Sequence, residues 1–204
     1  MSPHLRTLSR ILEDTVTLSL PIAPEANELL RSSPLALLLG MLLDQQQTME
    51  KAFGSPYELQ QRLGHPLDAG ELADYDEEAL IALFSRPPVL HRFPKVFARR
   101  TQAMCRVLVD RYGGDAERVW REATSGQDLL RRMQALPGFG EQKARIFVAL
   151  LGKRFGVRPD GWREAAGPYG DDDAYKSVAD ITDEEALRRV REYKQQARAA
   201  AKAD

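Results

Sequence analysis

Residues 136–140, Leu-Pro-Gly-Phe-Gly, separate two segments whose apolar residues recur at helical spacing. Upstream, QDLLRRMQAL brings Leu129, Leu130, Met133 and Leu136 to one face. Downstream, EQKARIFVALLGKRF does the same with Ala144, Phe147 and Leu151. Pro137 cannot continue a helix, and glycine tolerates backbone angles that side chains exclude. The chain must therefore turn sharply here and resume as a helix at Gly140 and Glu141. Phe139 is expected to plug the gap between the two helices. The amides of Gly138 and Gly140, at a helix start, suit an anion such as a phosphate. Taken alone, the turn also fits a plain helical hairpin.

The rest of the chain follows the same period. Alternating strand patterns are nearly absent, and about ten short helices account for the apolar residues, which predicts an all-α fold. Leu5, Leu8, Ile11 and Leu12 mark a first short helix, and residues 15–24 form a linker with room for a short strand. A long apolar helix is expected from Pro34 to Phe53, stopped by Gly54-Ser55-Pro56. Asp76 should cap the helix DEEALIALF. PKVFARRTQAMCRVLVDRY should bury Phe97, Met104 and Leu108 and end at Gly113-Gly114. Thr182 and Glu185 resemble a capping box for the last helix, with Leu187, Val190 and Ala197 on its contact side.

Formal net charge is −1, so the molecule as a whole is not an evident polyanion binder, but its charges are clustered. Residues 86–111 hold seven bases (Arg86, Arg92, Lys95, Arg99, Arg100, Arg106, Arg111) against Asp110, and 143–163 hold six against Asp160. Residues 68–78 hold six acids and no base. A basic face opposite nucleic-acid phosphates and an ordinary solvated surface both fit. The single cysteine, Cys105, excludes an internal disulfide and an all-cysteine metal site, and suits a reducing cytoplasm. His4, His65 and His91 are too scattered for a metal centre. The start, MSPHLRTLSRILED, is too polar for a secretion signal, and the longest apolar run, residues 34–43, is too short to cross a membrane.

The longer pattern LxxMxxLPGFGxxKAxxF resembles the helix-hairpin-helix element of the base-excision DNA glycosylases, the superfamily of endonuclease III and the 3-methyladenine glycosylases. The resemblance runs from about Leu35 to Asp160. It implies a two-lobed all-α fold with a DNA-binding cleft. Residues 31–152 would form the central lobe with the hairpin, and 1–30 plus 153–204 the second lobe. It further implies a monomer in the cytoplasm, associated with the nucleoid, that binds double-stranded DNA carrying a damaged or mismatched base.

The resemblance also implies roles. The family's catalytic aspartate follows the hairpin by about 20 residues; counting from Gly140 reaches Asp160, in Pro159-Asp160-Gly161-Trp162, nearer the alkylation-type members than the VDTH type. Its carboxylate would oppose positive charge on the sugar as the base leaves. Alone, Asp160 also reads as the N-cap of WREAA, and the two roles are compatible. By position Gln46, in PLALLLGMLLDQQQT, is the glutamine beside the flipped nucleotide. Among Tyr57, Trp120, Trp162 and Tyr169, Trp162 lies nearest Asp160 and is the candidate for base stacking. Gly138, Phe139, Gly140, Lys143 and Arg145 would face DNA. Strand-cutting members carry a lysine two residues after the second hairpin glycine, and here that residue is Gln142, whose amide forms no Schiff base. Lys143 stands one step round the helix, about 100° away, and should approach phosphate or solvent. The implied enzyme is a monofunctional N-glycosylase that leaves an abasic site. The four cysteines of the family's iron–sulfur cluster are missing. No cofactor is expected, and an alkali ion at the hairpin carbonyls stays open. So do two other readings: a noncatalytic protein that binds abasic or distorted DNA, and a helical protein-interaction domain.

Overall fold

The computed structural model of the protein describes residues 17–203. Among these residues the fold is all helical, with no strand. Eleven α-helices follow in order: α1 Pro24–Ser32, α2 Pro34–Leu43, α3 Met49–Leu63, α4 Ala69–Asp74, α5 Glu77–Ser85, α6 Pro94–Tyr112, α7 Arg118–Arg121, α8 Gly126–Gln134, α9 Glu141–Arg154, α10 Trp162–Ala166 and α11 Glu184–Ala203. Short 3₁₀ turns occupy Gly167–Tyr169 and Val178–Asp180. The helix expected around Leu5 to Leu12 lies outside the described residues. The described part of the 15–24 linker contains no strand.

The chain forms two compact units. Among the described residues, one comprises Pro21–Ala123 and Arg131–Ala144; the other comprises 17–20, Thr124–Leu130 and 145–203. The first is built around α2, where Leu35 through Leu43 are all buried. Ser33 starts this helix: its side chain accepts from the Ala36 amide at 3.2 Å, and Pro34 occupies the first turn, where a missing N–H costs nothing. Gly40 lets α3 approach, since a Cβ there would lie 2.7 Å from Phe53 Cδ1. The single helix expected over 34–53 is in fact two. α2 ends at Leu43, Thr48 caps α3 through the Lys51 amide, and α3 runs through Pro56 to Gly64. Ser55 eases that passage: its hydroxyl donates to Lys51 O at 2.7 Å, in the turn the proline disturbs.

The acidic 68–78 stretch consists largely of helix starts. Asp68 caps α4 and Asp76 caps α5, each accepting a backbone amide at 2.8 Å. Both helices pack on α6. Gln102 donates to Tyr75 O at 2.6 Å and Arg106 to Ala73 O at 3.1 Å, which ties the end of α4 to that helix. On α6 the buried stripe holds Phe97, Met104 and Leu108 as the spacing requires, together with Cys105, and Gly113 ends the helix in the left-handed conformation.

In the second unit, Leu129 and Leu130 of α8 and Phe147, Val148, Leu150 and Leu151 of α9 are buried, as are Leu187 and Val190 of α11. Ala197 is exposed and adds nothing to that contact side. The cap of α11 is Asp183 rather than Thr182. Asp183 accepts from the Ala186 amide at 2.8 Å, and the Thr182 hydroxyl donates to Asp183. The capping box instead lies one turn earlier, at Ser177 and Asp180. There Asp180 also takes the ammonium of Lys153 at 2.5 Å, with the two side chains 6% and 2% exposed. Its other oxygen accepts from the amides of Lys176 and Ser177 at 2.8 and 2.9 Å. Removing one partner of such a pair strands a buried charge. Asp180→Ala is expected to cost about 3–5 kcal/mol in a urea titration, and adding Lys153→Met should restore much of it.

Candidate nucleic-acid interface

In the first unit, three stretches distant in sequence meet at the end of α2. The hairpin turn is one. Phe139 donates its amide to Leu136 O at 3.0 Å and buries its ring, and Gly140 O accepts from Ala144 as α9 begins. Gly138 has φ of 87°, and a Cβ there would lie 2.3 Å from Leu42 Cδ1. Only glycine lets the turn sit this closely on α2. Gly138 and Gly140 are themselves exposed, at the head of a 14-residue helix.

Lys143 does not reach toward phosphate or solvent. Its ammonium donates to Leu42 O at 2.7 Å, satisfying a carbonyl in the last turn of α2. Burial lowers its pKa to about 8; Asp44 opposes that shift and Arg100 adds to it. Gln142, one position back, is exposed.

The loop after α2 is the second stretch. Gln47 donates its amide to Leu43 O at 3.0 Å, and Gln46 is exposed with φ of 55°, left-handed backbone that non-glycine residues seldom adopt. Gln45 is held at two points. Arg100 Nη1 donates to its side-chain oxygen at 3.0 Å, and His91 Nε2 donates to its carbonyl at 2.8 Å.

The third stretch is 91–93. His91 is fully buried and stacks on Phe97 with ring centroids 3.6 Å apart. Its Nδ1 accepts from the Phe93 amide at 3.0 Å, so the proton must sit on Nε2 and the ring must be neutral. Burial is the main reason its pKa lies below the ordinary value. The Gln45 carbonyl opposes this, and Lys143, Arg100 and Arg92 reinforce it. Phe93 is 40% exposed with the Arg92 guanidinium 4.8 Å from its ring centre, and Val89 and Val96 are exposed nearby in sequence. In the sequence His91 is one of three scattered histidines and Arg100 one of seven bases in the 86–111 cluster, and nothing there pairs either with Gln45. The partners His91 and Gln45 are 46 residues apart, and no local pattern links them.

The second unit holds Asp160. It is exposed in the turn before α10, and its carbonyl accepts from the Gly126 amide at 2.7 Å. Among the described residues its carboxylate has no hydrogen-bond or ion-pair partner. It is not the cap of α10; Gly161, with φ of 74°, stands at that position without a side-chain bond. Gly126 is pressed against this turn, since a Cβ on it would lie 2.3 Å from Gly161 O. Trp162 is 7% exposed, its ring against Gly152 and under the Arg163 guanidinium, so it is part of the core rather than an open stacking platform. Arg145 donates to Ala165 O at 2.9 Å at the end of α10, another cation engaged with backbone. Trp120 is buried as well.

Among the described residues, no group of three or more His, Cys, Asp or Glu side chains is placed to hold a metal ion, and no helix is long and apolar enough to cross a membrane. No protein-family model, no curated protein and no solved structure matches this chain.

The neutral His91 has a measurable consequence. An unfolded imidazole takes a proton near pH 6.5, whereas the folded one resists it until lower pH. Stability from this group is therefore complete above that range and falls as pH drops below it. Urea midpoints should decline more steeply on acidification for the wild type than for His91→Gln. Parallel declines would show that His91 is not held neutral.

Proposed function

We propose that this chain is a monofunctional DNA N-glycosylase that removes a damaged or mismatched base from double-stranded DNA. The observation that carries the reading is the exposed Asp160 carboxylate, without a side-chain partner among the described residues, 20 residues beyond an exposed glycine turn that heads a long helix. A carboxylate open to solvent can be aimed at a developing positive centre. The amides at the start of α9 suit one phosphate and read no sequence. Lys143 and Arg145 are turned onto backbone carbonyls, and exposed Arg92 and Lys95 are among the cations open to a duplex.

The chemistry is a hydrolysis. The base departs with the electrons of the glycosidic bond, the deoxyribose carbon becomes cationic, and the Asp160 carboxylate stabilises that charge until water adds; the proton that water loses passes through solvent to the departed base, leaving a free base and an abasic deoxyribose. Gln46, exposed on strained backbone, would occupy the gap beside the opened nucleotide. Gln142 supplies an amide where strand cleavage requires an amine, so the product is an intact strand with an abasic site.

Asp160→Asn is expected to retain duplex binding and to slow base release by about 10²–10³-fold. The assay incubates duplexes that each carry one lesion and then reveals abasic sites with alkali. Unchanged release would remove Asp160 from the mechanism. Duplex binding with no release from any lesion would favour a noncatalytic binder of distorted DNA. Borohydride added during the wild-type reaction should trap no covalent protein–DNA adduct; an adduct would contradict the monofunctional assignment.

A further inference from the structure

His91 is a buried side chain that joins the Gln46 loop to another segment through both of its polar atoms. Nε2 donates to Gln45 O at 2.8 Å, and Nδ1 accepts from Phe93 N at 3.0 Å. The ring is clamped by its stack on Phe97, and Arg100 holds the Gln45 side chain from the same helix. Gln46, next in the chain, has left-handed backbone and lies in the loop between α2 and α3, outside any helix. Such backbone persists only where its surroundings enforce it.

We propose that His91 is a positioning residue for Gln46: it fastens the 44–47 loop to the 91–93 segment and so presents Gln46 to an opened DNA duplex. The role rests on the glycosylase reading, in which Gln46 meets the gap left by the extruded nucleotide. His91 touches no DNA and acts through the Gln45 backbone.

The fastener works only as the neutral ring. Protonation converts Nδ1 from acceptor to donor and sets it against the Phe93 N–H. The charged groups around the ring are Arg92 on its own segment, Arg100 from α6 and Lys143 from α9, all cations that oppose a second positive charge. Acid should therefore loosen the loop while leaving the cations that attract DNA in place.

The test uses the full chain and a duplex with a tetrahydrofuran abasic analogue beside 2-aminopurine, whose fluorescence reports opening. His91→Phe keeps a ring for the stack and loses both hydrogen bonds. It should lower the opening equilibrium by about tenfold or more, with affinity for undamaged duplex little changed. Gln46→Ala should do the same, and the double variant should match Gln46→Ala alone. His91→Gln offers a donor and an acceptor without titrating. It should recover part of the signal and hold it on acidification, while the wild type loses signal once its ring takes a proton. Wild-type opening in His91→Phe, multiplying effects in the double variant, or identical pH profiles for wild type and His91→Gln would overturn the role. If His91→Phe does not fold, the pH comparison decides. A wild type that opens no duplex would remove the glycosylase reading and this role with it, a result distinct from a wild type that opens DNA without needing His91.

Discussion

The hairpin depends on a single residue of the apolar helix beneath it. Leu42 receives Gly138 against its methyl group and the Lys143 ammonium on its carbonyl. The first contact admits no side chain at 138, and the second answers a helix-end carbonyl that has no partner within α2. Because Leu42 is itself fully buried, the turn inherits the rigidity of the core. The cost of this arrangement falls on Lys143, whose charge is partly desolvated and whose pKa drops accordingly. The Lys143 cation serves as a structural cap on the end of α2.

The same division between buried and open polar groups runs through the molecule. Lys153 and Asp180 are buried charges, each with several hydrogen-bond partners, and they hold the segment between α10 and α11. His91 is buried and neutral, with both nitrogens used. Arg62, 3% exposed, donates to the carbonyls of Leu83, Arg86 and Pro88 and secures the turn after α5. Asp160 stands apart from these. Its backbone is fixed by Gly126 while its carboxylate is left open.

Much of the fold was legible from local rules. Asp76 as a cap, Gly113 as a stop, the buried stripe on α6 and the buried Phe139 follow from propensity and spacing within a few residues. The misreadings share a cause. The 34–53 segment looked continuous because α2 and α3 are both helical on either side of Asp44-Gln45-Gln46-Gln47. A histidine and an arginine remote in sequence hold Gln45 in the loop between them. Pro56 looked like a stop, yet the Ser55 hydroxyl and tertiary packing carry the helix through it. Thr182 and Asp183 are both competent caps one residue apart, and the structure uses Asp183. Arg145 looked like a cation for DNA because a sequence does not display which carbonyls lie within reach of a long side chain.

The sequence by itself determined the helical class, the sharp turn at 137–140 and the 20-residue interval to Asp160, because each depends on backbone chemistry confined to neighbouring residues. Tertiary structure alone decided that Lys143 and Arg145 face inward, that Trp162 is core, and that His91 holds the Gln46 loop. Those outcomes depend on hydrogen bonds across 20 to 101 residues of chain, and burial supplies the desolvation that makes the choice of partner matter.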